Sequence, residues 1–146
     1  MKILSLTKYE KLGASSRIRT FQYLPLLKRE GYEVSPQSLI SDKSLLSRYK
    51  HGNYSVFFLV FSYIRRIKVL FAKQSYDLVW VEKEAFPWFP VWFELLLLRG
   101  KPFIMDFDDA TFHNYDQNSN KYLRYFFHNR LDKLMAKSAL VICGNY

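Results

Sequence analysis

The chain has a single cysteine, Cys143, in 146 residues. That excludes an internal disulfide and fits a reducing compartment. The thiol lies in the apolar run Ala139-Leu140-Val141-Ile142-Cys143, where a small core residue is expected rather than a nucleophile. Histidine is scarce as well. His51, His113 and His128 show no metal-ligand spacing with that thiol. No apolar run reaches the roughly 20 residues that span a bilayer. The longest runs are Val56 to Ile64 and Phe86 to Leu98, and Glu94 and two prolines interrupt the second. The start, Lys2-Ile3-Leu4-Ser5-Leu6, enters a strand directly, so no signal peptide is read there. Acidic residues are outnumbered 13 to 22, and the net charge of +9 calls for an acidic partner. Nucleic acid, a nucleotide phosphate and an anionic membrane surface all fit that charge.

What is present is a globular composition. Hydrophobic residues make up 49% of the chain, which excludes disorder. The length is that of one domain, able to bury about two-thirds of its unfolded surface. The aromatic share of 18% suits a boundary that is partly wet and partly apolar.

Strand and helix signals alternate from end to end. Ile3 to Thr7 reads as a first strand, followed by a loop with Gly13, Ala14, Ser15 and Ser16. Ser16 reads as the N-cap of a helix carrying Ile18, Phe21, Leu24 and Leu27, kinked at Pro25 and stopped by Gly31. Tyr32 to Leu39 is the second strand, weakened by Pro36, and residues 41 to 52 form a polar connector with room for one short helix. A long helix over Tyr54 to Ala72 is apolar at first and basic at Arg65, Arg66 and Lys68. Leu78 to Val81 is the third strand, Phe86 to Leu98 a helix ended by Gly100, and Phe103 to Phe107 the fourth strand. Lys121 to Lys137 is an amphipathic helix with Leu123, Phe126, Phe127, Leu131, Leu134 and Met135 on one face. Ala139 to Cys143 closes the series. This alternation predicts an α/β fold with a doubly wound parallel sheet of about five strands, helices on both faces. The expected strand order is 3-2-1-4-5, with the glycine loop and Asp108 at the same edge.

The most telling stretch is Phe103-Ile104-Met105-Asp106-Phe107-Asp108-Asp109-Ala110. An apolar strand delivers three carboxylates in four residues. Like charges side by side are costly to desolvate. In open α/β sheets, ligands bind outside the carboxyl ends of the strands. The plain alternative is a solvated turn in which Asp109 caps the next segment.

Five groups of residues resemble a known family. They are Leu12-Gly13-Ala14-Ser15-Ser16-Arg17, Tyr23-Leu24-Pro25, Glu82-Lys83-Glu84 with Phe86-Pro87, Asp106-Phe107-Asp108-Asp109-Ala110, and Cys143-Gly144-Asn145. Together they resemble the N-terminal half of a bacterial GT-B glycosyltransferase, closest to family 4, whose members are retaining and use nucleotide sugars. The resemblance covers the whole chain, and the aspartate-rich segment followed by His113-Asn114-Tyr115-Asp116 carries most of it.

The resemblance implies one Rossmann-like acceptor-side domain over residues 1–146, with the donor-binding domain absent from this chain. It implies Asp108 and Asp109 as candidate catalytic residues, Asp108 lying where many members have histidine. Gly13, Ser15, Ser16 and Arg17 are the candidate donor-phosphate residues. Glycine allows close backbone approach, and a helix start with arginines nearby suits a diphosphate. Glu82, Lys83, Glu84 and Asp106 are the candidate acceptor-binding residues. The implied partners are a nucleotide sugar, a glycan or lipid-linked acceptor, the second domain and an anionic membrane surface, with no nucleic acid. No metal and no other cofactor are expected. The expected location is the cytoplasm, with a peripheral seat on the inner face of the cytoplasmic membrane. There the run Phe57 to Lys68 would meet lipid with its rings and with Arg65, Arg66 and Lys68.

Three other readings compete. Asp106-Phe107-Asp108 looks like the metal-holding DxD of GT-A enzymes, although the Gly13 loop and basic first helix suit a metal-free phosphate site better. The stretch also resembles the nucleophile motif of haloacid-dehalogenase-like phosphatases, but Ala110 stands where threonine is required and Thr111 comes one residue late. The third is a module without catalysis that docks on a membrane or another subunit.

Overall fold

The computed structural model describes residues 1–144. Its strands are β1 (Lys2–Tyr9), β2 (Glu33–Ile40), β3 (Leu78–Glu82), β4 (Phe103–Phe107) and β5 (Leu140–Cys143). Helices α1 (Ala14–Arg19) and α2 (Leu24–Arg29) join β1 to β2. Helices α3 (Asp42–His51) and α4 (Val56–Phe71) join β2 to β3, and α5 (Val91–Leu98) joins β3 to β4. Helices α6 (His113–Asp116), α7 (Lys121–Phe127) and α8 (Arg130–Met135) join β4 to β5. All four strand pairings are parallel. The fold is therefore the expected α/β, Rossmann-like arrangement.

The strand order is β2-β1-β3-β4-β5, not 3-2-1-4-5. Pro36 gives a physical reason. Proline has no N–H to donate, so it is tolerated on an edge strand and not inside a sheet. The expected order would have put β2 in the interior. Instead β3 pairs with β1, Ile3 opposite Leu78 and Leu6 opposite Val81. The chain thus reverses direction at β1, and the crevice of such a sheet opens at that switch, between β1 and β3. Crossovers between parallel strands are right-handed as a rule, so connections running both ways from β1 place helices on both faces.

The core follows the two-residue period of the strands. Leu4, Leu6, Val79, Val81, Phe103 and Met105 point one way and meet Leu70 of α4, Leu97 and Leu98 of α5, and Leu131 and Leu134 of α8. Leu6 is wholly buried, and truncating such a side chain to alanine costs about 2–5 kcal/mol. Among the described residues, no helix is long and apolar enough to cross a membrane.

The helices depart from expectation in three places, and the polar connector holds the one short helix it had room for. The first helix is broken: α1 ends at Arg19, a short 3-10 turn spans Phe21–Tyr23, and Pro25 sits in the first turn of α2. There its missing N–H costs nothing. The helix expected from Phe86 starts only at Val91, because Pro87 and Pro90 break the segment and Trp88 takes a left-handed φ of 67°. The long amphipathic helix divides into α7 and α8, which turns Arg130 inward. The polar connector is the ten-residue α3, its first turn closed by Ser41 accepting from Ser44 N–H.

Helix α4 departs from expectation at Arg66. Arg66 is fully buried and Phe57 is 75% exposed. The Arg66 guanidinium donates to Thr7 O and Gln37 O, to Ala85 O at 3.0 Å and to Gln37 Oε1 at 2.8 Å. Backbone carbonyls at the ends of β1 and β2 hold this charge, so it is not available to lipid. Val56, Phe57, Phe58, Val60 and Phe61 face outward instead.

Candidate functional site

In a parallel sheet every strand ends on the same rim. Here the carboxyl ends of β1, β3, β4 and β5 bring the candidate residues to one place. The loop after β1 begins α1, with Gly13 as its N-cap. Glu82 ends β3, Asp106 lies in β4, and Asp108 follows it. Gly13 and Asp108 share this rim.

The serines meet carboxylates. Ser15 Oγ lies 2.6 Å from Asp108 Oδ2 and 2.9 Å from Glu82 Oε1. Its single hydrogen serves one of them at a time. Ser16 Oγ donates to Glu82 Oε2 at 2.6 Å and accepts from Tyr9 N–H at 2.9 Å. Lys8 N–H also donates to Glu82 Oε2. Ser16 is thus a buried tie between β1, α1 and β3 and not the helix cap. Gly13 has an ordinary φ of −72°. A Cβ there would lie 2.2 Å from Tyr9 Cβ, so the glycine makes room for Tyr9. Arg17 is exposed.

Asp108 is held on both oxygens. Lys83 Nζ lies 2.6 Å from its Oδ1, opposite the Ser15 contact, and 3.1 Å from Asp109 Oδ2. Burial alone would raise the Asp108 pKa. The hydrogen bonds from Lys83 and Ser15 and the Lys83 charge outweigh it and hold the carboxyl below its ordinary value. Burial of Lys83 works against its charge, but Asp108 and Asp109 raise its pKa. Asp109 is exposed and also accepts from Thr111 Oγ1 at 2.8 Å, which fixes the loop leaving β4.

Asp106 is buried and ion-paired to Arg19, which also donates to Phe107 O. Burial lifts the Asp106 pKa despite that arginine, and Arg19 is raised chiefly by its hydrogen bond to Asp106. Gly144 lies against this pair, where an added Cβ would come within 2.7 Å of Arg19 Nη1. Asn145, the last residue of the Cys143-Gly144-Asn145 motif, lies outside the described residues. Cys143 is exposed, contrary to the core position expected of it. The end of β5 is open there, and the thiol lines an apolar cavity of about 280 Å³ with Phe107, Phe112, Leu131 and Met135.

Glu84 belongs to a second, buried knot. Tyr115 Oη donates to its Oε2 at 2.6 Å, and Arg130 Nε lies 3.4 Å away. Arg130 also pairs with Glu94 and donates to Phe86 O at 2.6 Å. Glu94 in turn accepts from the N–H groups of Ala85 and Phe86. Burial lifts Glu84 to about 7 despite Arg130 and Tyr115, and lifts Glu94 as well. Tyr115 is raised by burial and by Glu84. A notch of about 60 Å³ opens beside this knot between Lys8, Lys83, Glu84, Trp88, Asn114 and Tyr115.

The structure therefore brings together Ser15, Ser16, Glu82, Lys83, Asp106, Asp108 and Asp109. It seats Glu84 one turn away in the Arg130 knot and leaves Arg17 outside. Sequence reasoning did not identify Lys8, Arg130, Tyr115 or the anchoring of Arg66. Glu94 was the visible signal for the knot, because a carboxylate inside an apolar helix needs a buried partner. Among the described residues no three His, Cys, Asp or Glu side chains come together to hold a metal. The rim offers an ionised, doubly held carboxylate beside a polar notch. Such an arrangement accepts hydrogen bonds from hydroxyl groups and stabilises positive charge that develops near Asp108. No protein-family model matches the chain, and no curated protein matches it either.

Proposed function

We propose that the chain is the acceptor-side half of a retaining GT-B glycosyltransferase similar to family 4. It would transfer a sugar from a nucleotide sugar to an envelope or surface polysaccharide, or to a lipid-linked acceptor. The observation that carries this reading is the convergence on Asp108. The loop after β1 supplies Ser15, the end of β3 supplies Lys83, and both hold one carboxylate at the end of β4. In this reading Asp108 orients the sugar or acceptor hydroxyl and stabilises oxocarbenium charge. The notch by Glu84 and Trp88 takes acceptor hydroxyls. Ser15 and Ser16 bind carboxylates, so the exposed Arg17 of α1 is left to meet a diphosphate, and the second domain supplies most of that grip.

The test is transfer of radiolabelled sugar from a panel of nucleotide sugars to membrane and glycan fractions, by the complete enzyme carrying this chain. Transfer that disappears with Asp108→Asn supports the reading. Transfer undiminished in that variant, or strictly dependent on a divalent ion, refutes it.

A second reading, a docking module derived from a glycosyltransferase, is favoured by α4. Its first two turns expose five large apolar side chains, three of them Phe. The exposed cations Arg65 and Lys68 follow on the same helix. Both features suit an anionic membrane surface. Binding to vesicles without any transferase activity would favour this reading over the first.

A further inference from the structure

The peptide after β3 bends in an uncommon way. Glu84 N–H donates to Glu82 O at 2.8 Å, closing a three-residue turn around Lys83. Lys83 has φ of 61°. A γ-turn with positive φ at its centre is the rare, strained form. A side chain in this region is strained and persists only where the surroundings compel it, and glycine avoids that cost. Lys83 N–H also donates to Asp106 O at 2.9 Å, so the bend is held against β4. Such strain persists where the side chain it carries is needed.

That side chain is buried, and its ammonium reaches Asp108 at 2.6 Å and Asp109 at 3.1 Å. Glu82, Glu84 and Lys8 line the same notch as Lys83, and Arg19 and Asp106 lie within electrostatic reach of Asp108. Five carboxylates crowd this rim, and Arg19 is engaged by Asp106. Lys83 is the cation that bridges Asp108 and Asp109.

We infer that Lys83 is a positioning residue whose strained turn exists to place an ammonium between Asp108 and Asp109, fixing the Asp108 carboxylate for a ligand rather than binding the ligand itself. This revises its expected part as an acceptor contact. The depressed Asp108 and raised Lys83 pKa values follow from the same geometry. The inference rests on the transferase reading only for the importance of Asp108.

The test needs no sugar, so its failure and the failure of the transferase reading are separable. Asp side-chain carboxyls of the full chain are followed by carbon NMR across pH, with the Asp108 signal assigned through Asp108→Asn. Three variants are compared. Lys83→Met keeps the strain and removes the charge, Lys83→Gly removes both, and Lys83→Arg keeps a charge. The expected result is an Asp108 midpoint raised by about one pH unit or more in the Met and Gly variants, the usual effect of losing an opposite charge at this distance. Lys83→Arg should recover part of the low midpoint. Lys83→Gly should melt at a higher temperature than Lys83→Met, because the turn is relaxed. An Asp108 midpoint unmoved in both neutral variants overturns the inference. So does a midpoint restored by glycine alone, which would make the effect one of backbone. Failure of both neutral variants to fold would reduce Lys83 to a structural part of the turn, and overturns it as well.

Discussion

Replacing Gly13 by alanine separates two roles for that glycine. If Gly13 exists for close approach of a ligand, alanine should leave stability alone and weaken binding. The structure points to packing instead. An added Cβ would meet Tyr9 Cβ at 2.2 Å, Cγ at 2.6 Å and Cδ2 at 2.9 Å. Contacts under 3 Å do not persist, and overpacking of this kind costs about 1–3 kcal/mol. The backbone at Gly13, φ −72° and ψ 117°, is comfortable for alanine. Loss of unfolded-state freedom therefore returns about 0.4–1 kcal/mol. The net expectation is a loss of about 1–2 kcal/mol, or roughly 2–8 °C in Tm for a domain of this size. Tyr9→Ala should not relieve it, because the worst contact is to Cβ. Tyr9→Gly should relieve it, and in that background Gly13→Ala should become mildly stabilising. This reversal of sign, read by urea and thermal unfolding in a double-mutant cycle, is the critical result. A Gly13→Ala chain as stable as the parent would refute the packing argument and return Gly13 to the ligand.

On the proposed transferase reading, Asp108→Asn should lower turnover about a hundredfold or more with the fold intact, while a chelator leaves the parent's turnover as it was; wild-type turnover in the variant would make Asp108 structural. Glu84 has its pKa raised from 4.5 to about 7, so the folded state binds the extra proton. Its contribution to stability is complete below about pH 4.5 and is lost as pH rises towards 7, by about 3 kcal/mol at 1.36 kcal/mol per unit. Urea midpoints at pH 5 and pH 8 should therefore differ less in Glu84→Gln than in the parent, and parallel pH profiles would contradict the shift. On anionic vesicles, sedimentation should fall when Phe57 and Phe61 become Ser and should weaken with salt. Recovery in the supernatant with neutral and anionic vesicles alike would remove the membrane surface as a partner.

The strands were legible because a buried parallel strand is a short apolar run, and β4 matches its expected span residue for residue. The carboxylates were legible as a group for a related reason: once the strands are parallel, Glu82 and Asp108 must end on the same rim. Order was harder. It turns on which strands are edges, and Pro36 held that information in a single missing N–H. The helices after β3 and β4 are shorter than the sequence suggests, because the apolar pattern continues across the breaks. Trp88 needs a left-handed turn, and Arg130 must rotate inward to reach Glu94. These are tertiary demands that override local propensity. Side-chain partners such as Ser15 with Asp108, or Arg66 with Thr7, pair across the fold and leave no local pattern. Gly13 was visible as a special position, but its neighbour Tyr9 was not.

The buried guanidinium of Arg66 divides α4 into two mechanical parts. The half from Arg66 onward is pinned, by carbonyl oxygens on one side and by Leu70 in the core on the other. The half before it bears the outward rings and is tied more lightly, by Tyr63 stacked on Phe86 and by Arg65 donating to Ser38 O. A load applied to those rings, by lipid or by another protein, acts on a lever whose fulcrum is bonded to the ends of β1 and β2. Thr7, whose carbonyl holds that fulcrum, precedes the Lys8 amide that holds Glu82, and Glu82 shares Ser15 with Asp108. Pulling on that half reaches the rim through a short run of hydrogen bonds. Arg66 thus links the outward-facing helix to the rim by hydrogen bonds alone, with no core side chain between them.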